Sequence, residues 1–115
     1  MAQRIPSGDR IRVLHVEDDE AFADLTAAHF ERLDAGIRHE AVRTVAAGRR
    51  RCREESFEAV VCDYDLPDGT GIDLLERVRD RNPNLPVVLF TGKGSEEVAS
   101  EAISAGVTDY LQKRG

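Results

Sequence analysis

The chain has 115 residues, 16 basic and 22 acidic side chains and a formal net charge of −6, a length that suits one domain and excludes two. With 41% hydrophobic and 33% charged residues it reads as soluble and globular, and its acidity argues against nucleic acid as a direct partner, because phosphates would be repelled. No apolar run approaches the ~20 residues of a membrane span, and the opening MAQRIPSGDR lacks the apolar stretch of a secretory signal.

The two cysteines, Cys52 and Cys62, form no Cys-x-x-Cys pair, so neither a zinc site nor a disulfide framework is indicated. A reducing, cytoplasmic compartment is the expectation. Of the 16 basic residues only Lys93 and Lys113 are lysine. Salt adaptation and codon bias toward arginine both account for that.

Residues 1–9 read as a flexible tail, because Pro6, Ser7, Gly8 and Asp9 are breakers without apolar periodicity. Ile11–Val16 is the first predicted strand. A helix is predicted over 20–34, with Phe22, Leu25, His29 and Leu33 on its inward face, Asp19 as cap and Glu20 in its first turn. Ile37–Val42 is a weaker second strand. The helix over 44–55 is the poorest, with only Val45, Cys52 and some Ala apolar; Arg49, Arg50 and Arg51 read as a solvated face.

Ala59–Cys62 is the third strand. The helix over 71–81 carries Ile72, Leu75 and Val78 on one face, Leu74 on its flank, and stops before Pro83. Residues 86–90 make the fourth strand, which like the third is a continuous apolar run, as in strands buried on both faces. The helix over 95–105 has Ser95 as N-cap, a Val98, Ala102 and Ala105 stripe, and Gly106 as C-cap. Residues 107–111 are the fifth strand.

This alternation predicts an α/β fold with an open, doubly wound, five-stranded parallel sheet. Such sheets bind ligands at the carboxyl ends of their strands. There the sequence puts Glu17-Asp18-Asp19-Glu20, Asp63, Thr91 and Lys113. Clustered carboxylates repel one another unless a cation joins them, and Mg²⁺ suits carboxylates, a carbonyl and waters. A carboxylate beside Mg²⁺ can attack a phosphoryl group, while Lys113 and Thr91 would contact the transferred oxygens.

Four motifs in order then resemble the receiver domain of response regulators in two-component signalling, from about Arg12 to Lys113. They are Val13 to Asp19, Val60 to Gly71 with its Asp63-Tyr64-Asp65-Leu66-Pro67, Val88 to Gly92, and Asp109 to Lys113. The resemblance implies a flavodoxin-like strand order 2-1-3-4-5. It assigns Asp63 as phosphoacceptor, and Glu17, Asp18, Asp63 and the backbone carbonyl of Asp65 as holders of Mg²⁺, with Mn²⁺ as the alternative ion. Thr91 and Lys113 become phosphoryl contacts, and Thr91 and Tyr110 the switch pair, though Tyr110 reads equally as a packed aromatic. The implied partners are a sensor histidine kinase or phosphotransfer protein, a homodimer mate, and an output domain outside this chain. A signalling phosphoacceptor, not a turnover enzyme, is the expectation.

Departures accompany the likeness. Glu17 stands where Asp is commoner, and Arg114 stands where the family usually has Pro after the lysine. A fifth helix normally follows; with Gly115 the last residue, a receiver domain over 10–115 truncated before that helix is expected. Asp65 and Lys93 are expected to pair across the phosphoryl group. His15 and His29 read as core or rim residues. Two rival functions stay open. One is a degenerate receiver used for dimerisation or docking. The other is a haloacid-dehalogenase-type phosphatase built on Asp63-Tyr64-Asp65, although Pro67 occupies a position that motif gives to Thr or Val.

Overall fold

The computed structural model describes residues 11–33, 36–92 and 96–113; the predicted tail, Lys93, Ser95 and Arg114 lie outside the described residues. In chain order the elements are β1 (Ile11–Val16), α1 (Glu20–Leu33), β2 (Ile37–Val42), α2 (Val45–Glu54), β3 (Ala59–Cys62), β4 (Asp65–Leu66), β5 (Gly69–Thr70), α3 (Gly71–Arg81), β6 (Val87–Thr91), α4 (Glu96–Ser104) and β7 (Asp109–Gln112). The main sheet is wholly parallel with order β2-β1-β3-β6-β7. That is the expected 2-1-3-4-5 order once the β4–β5 hairpin is set aside. The sequence did not signal this hairpin: its two-residue turn is Pro67-Asp68, with Leu66 paired to Gly69 and Asp65 to Thr70.

The inner strands β3 and β6 are runs of β-branched and apolar residues, whereas the outer β2 and β7 carry Arg38, Glu40, Asp109 and Gln112; helices that alternate with the strands pack the sheet. Leu14, Val16, Val60, Cys62, Val87 and Leu89 meet Ile72, Leu74, Leu75 and Val78 of α3 in one cluster. β3 and β6 alternate between buried and half-buried positions, so one face is sealed more completely than the other. This corrects the expectation that both faces of these strands are buried: the second face is only half-buried.

The helix boundaries follow local chemistry. Thr70 and Asp73 form a reciprocal capping box that starts α3. Thr44 Oγ1 accepts from Ala47 N at 3.0 Å at the start of α2. In α1, Asp19 Oδ1 accepts from Phe22 N at 3.2 Å, the expected cap. Gly106, at φ +92°, ends α4 in the left-handed region. The Val98 and Ala102 stripe faces the core as expected, with Ala105 partly buried against it.

Two expectations fail. Three of the four residues expected on the inward face of α1 are exposed, Leu25 (53%), His29 and Leu33 (76%), and only Ala23 is fully buried in that helix. The inward face runs through Phe22, Ala23, Thr26, Ala27 and Phe30 instead. Small residues there let the helix lie close to the sheet, and spacing alone did not fix the helix's rotation. Arg51 is not merely solvated: it donates from Nε and Nη2 to both carboxylate oxygens of Glu40 on β2, at 2.5 and 3.0 Å. α2 reaches the sheet through Gly48, where a Cβ would lie 3.1 Å from Val16 and 3.2 Å from Leu74.

Candidate functional site

The sheet register brings the acidic residues together. Val16 pairs with Cys62, so the next residues, Glu17 and Asp63, leave neighbouring strands side by side. Their backbones stay tied: Glu17 N donates to Val42 O at 2.9 Å and Asp63 N to Val16 O at 3.0 Å. On the far side, Lys113 N donates to Thr91 O at 2.9 Å. The sheet thus aims each group through its own hydrogen bonds.

One carboxylate oxygen from each of Glu17, Asp18 and Asp63 lies within 4.8 Å of the others. The Lys113 ammonium enters this cluster, donating to Glu17 Oε1 at 2.7 Å and Asp63 Oδ2 at 3.2 Å. It also lies 4.1 Å from the centre of the Phe22 ring, a cation–π contact that sequence reading had not placed. Asp63 Oδ1 accepts from Tyr64 N at 2.7 Å, which fixes the carboxylate's rotation. Glu17 Oε2 accepts from Asp19 N at 3.1 Å.

Glu17 is 2% exposed and Asp63 9% exposed. Burial pushes the Glu17 carboxyl above its ordinary value, against the hydrogen bonds from Lys113 and Asp19. Burial pulls the Lys113 ammonium down, but the hydrogen bond to Glu17 and the field of Asp63 outweigh it and leave it raised. Three carboxylates against one ammonium leave the cluster anionic. Oxygen donors only, in surplus negative charge, fit a hard divalent cation.

Behind Glu17 sits His15, 1% exposed, with Nε2 4.0 Å from Glu17 Oε1. Its Nδ1 lies 2.9 Å from Nε2 of His39. Burial, then the fields of His39 and Lys113, push His15 down to about 4. Burial lowers His39 as well. Both rings are therefore neutral at neutral pH. We assign the tautomer in which His39 Nε2–H donates to His15, so that the His15 Nε2–H faces the Glu17 carboxylate. His29 is exposed.

The remaining predicted residues divide. Thr91, the last residue of β6, is buried on the same rim. Tyr110 lies on β7 beside Leu89 and packs half-buried against the core. Asp65 lies in β4, two residues past Asp63; its side chain is exposed and outside the three-carboxylate cluster. The Lys93 side of the expected Asp65 pair falls outside the described residues.

The hairpin adds two features. Asp68 reaches back to α2, its Oδ1 accepting from Val45 N at 2.7 Å and Oδ2 from Ala46 N at 3.0 Å. These bonds hold the Asp68 carboxyl below its ordinary value. Gly71 then brings the chain against the site: a Cβ there would lie 2.3 Å from Asp63 O. Asp63 follows β3, the third strand of the chain.

Comparison with known proteins agrees with this geometry. A profile described as the response regulator receiver domain matches residues 13–115. The chain is 36% identical over 111 residues to the photosynthetic apparatus regulatory protein RegA of Rhodovulum sulfidophilum, covering 96% of this chain and 60% of that one. It is 33% identical to the response regulator protein PilR of Pseudomonas aeruginosa, covering 90% of this chain and 23% of that one. It therefore spans only part of these relatives. A CheY-like receiver domain protein of Methanospirillum hungatei superposes with a TM-score of 0.85 at 30% identity, covering 91% of this chain and 82% of that one. A beryllofluoride-activated NtrC4 receiver domain dimer superposes with a TM-score of 0.82 at 29% identity, covering 90% and 84%.

Proposed function

The chain belongs to the response regulator receiver domain family, and on that premise we propose that Asp63 accepts a phosphoryl group from a sensor histidine kinase or phosphotransfer protein. The observation that carries this reading is the meeting of the Glu17, Asp18 and Asp63 carboxylates at one strand rim, with Lys113 in contact with Asp63. The receiver unit is taken as residues 10–115, after a tail over 1–9.

Asp63 would act as the nucleophile. One carboxylate oxygen forms a bond to phosphorus as the bond from phosphorus to the donor's imidazole nitrogen breaks, and the electron pair leaves with that nitrogen. Tyr64 N holds the other oxygen and fixes the attack direction. Lys113 would follow the charge onto the transferred oxygens, and the Thr91 hydroxyl would donate to one of them. Glu17, Asp18, Asp63 and the Asp65 carbonyl would hold Mg²⁺, or Mn²⁺ in its place. When bound, that ion offsets negative charge on the transferred oxygens.

The chemistry ends at the aspartyl phosphate and its hydrolysis, so the domain is a signalling module and not a turnover enzyme. Thr91 and Tyr110 would carry the change to the α4–β7 surface and alter partner binding. An output region and a homodimer mate are the proposed recipients; among related proteins, the activated NtrC4 receiver is described as a dimer. A cytoplasmic location accords with this role. Among the described residues, no helix is long and apolar enough to cross a membrane.

The test is intact-mass and peptide mass spectrometry after incubation with acetyl phosphate and Mg²⁺. Label on Asp63 that disappears in Asp63→Asn is expected. No label on wild type would return the domain to a docking role.

A further inference from the structure

We propose that the cleft between the last turns of α2 and α3, at the opposite end of the sheet from Asp63, binds a small organic anion with an apolar body. The cleft has a volume of about 380 Å³, within the range of small-ligand sites. It lies beside Phe57 and Leu85, which precede β3 and β6, whereas Asp63 follows β3. The length of that strand, roughly 13 Å, separates the two ends.

Its chemistry is two-sided. Phe57, Val78 and Leu85 are buried and supply an apolar floor, with Cys52 half-buried among them. Four arginines line the same space: Arg49 and Arg53 from α2, and Arg77 and Arg81 from α3. Each pair is spaced i,i+4, so each lies along one helix face. The two faces confront each other across the cleft.

The bland account is that cations near a helix C-terminus complement its dipole. That account explains charges close to the terminal carbonyls. It does not explain two stacked pairs of like charges brought together on one cavity, where they repel. Among the described residues, the side chains of these four make no ion pair or hydrogen bond, and the Arg81 charge bears instead on the Cys52 thiol. Two carboxylates also line the cleft, Glu55 and Asp80. Glu55 is already engaged by Arg12, 2.8 Å away, whose hydrogen bond holds the Glu55 carboxyl below its ordinary value. Asp80 alone faces four guanidinium groups.

An arginine is suited to carboxylate, sulfonate or phosphate, since its planar fork donates two parallel hydrogen bonds. The floor calls for an aromatic or alkyl body beside that group. The anion would remove the repulsion between the helices while its body covers Phe57 and Leu85.

The probe is anilinonaphthalene sulfonate, compared with phenylnaphthylamine, which keeps the rings and lacks the sulfonate. Binding to the whole chain is followed by fluorescence titration and by amide shifts in NMR spectra. The expected result is saturable one-to-one binding of the sulfonate, with shifts at residues 52–57 and 77–85. Arg53→Gln/Arg77→Gln should weaken it by about tenfold, and the neutral analogue should bind more weakly still. Both side chains are exposed, so the variant should retain its fold, checked by thermal melting. The proposal is overturned by shifts centred on exposed Leu25, Ile103 or Leu111 instead, by unchanged affinity in the folded variant, or by equal binding of the neutral analogue.

Discussion

Lys113 lies nearer to Glu17 than to Asp63, at 2.7 Å against 3.2 Å, so the residue proposed to contact the phosphoryl group rests chiefly on a buried carboxylate. Glu17 depends on that contact, because burial raises the free energy of its charged form. Replacing Lys113 with Ala should destabilise the metal-free protein by roughly 2 kcal/mol, below the usual cost of breaking a fully buried pair because Lys113 is at the rim. Chemical denaturation in chelator measures this. Adding Mg²⁺ should narrow the gap; an unaltered midpoint in chelator would show that the ammonium does not offset Glu17.

Gly71 has no room for a side chain. Its Cβ would stand 2.3 Å from Asp63 O and 2.7 Å from Leu89 Cδ1, and the first of these is backbone that cannot rotate away. Gly71→Ala should cost about 3 kcal/mol, the upper end of overpacking. It should also displace Asp63 and slow its labelling by acetyl phosphate. A urea titration and a labelling time course read the two effects separately.

Arg79 fastens α3 to two loops. It donates to Gly106 O at 2.8 Å, Leu85 O at 2.6 Å, Asn82 O at 3.2 Å and Thr108 Oγ1 at 3.3 Å. Arg79→Ala should lower stability by about 2 kcal/mol, since charge-assisted bonds to several carbonyls are lost together. Arg79→Lys should recover little, because an ammonium cannot reproduce the fork. Thermal melts of both variants check this.

Acid should weaken the fold through His15. Its folded pKa is about 4 against 6.5 when unfolded. Between those values the unfolded chain binds a proton that the native one does not. Stability is therefore full above about pH 6.5 and falls as pH drops toward 4, by roughly 3 kcal/mol in all. His39, lowered too, acts in the same direction. His15→Phe should flatten the dependence of the melting temperature on pH over this window, measured without divalent ions. An equally steep curve in the variant would assign the acid sensitivity to other groups.

Much of this protein was legible before any coordinates. Strand positions, the parallel sheet and the rim residues follow from apolar runs that alternate with helical periods, whereas the strand order came from the resemblance to receiver domains. Asp63 and Glu17 were identifiable since each stands at the end of an apolar run, where the sheet must present it. The helix expected over 71–81 matches α3, whose start the structure explains by the local capping box of Thr70 and Asp73.

Tertiary structure decided what depends on rotation and reach. The α1 helix turned Leu25 outward, because its small and aromatic face met the sheet better than its leucines did. Phe22 came to lie beneath Lys113, and Asp68 to cap α2, across 91 and 23 residues of sequence respectively. Arg49 read as part of a solvated face of α2, but packing set it with Arg53, Arg77 and Arg81 along one cleft. Local chemistry fixes where elements begin and end, whereas the close packing of helices on a twisted sheet fixes which side chains meet.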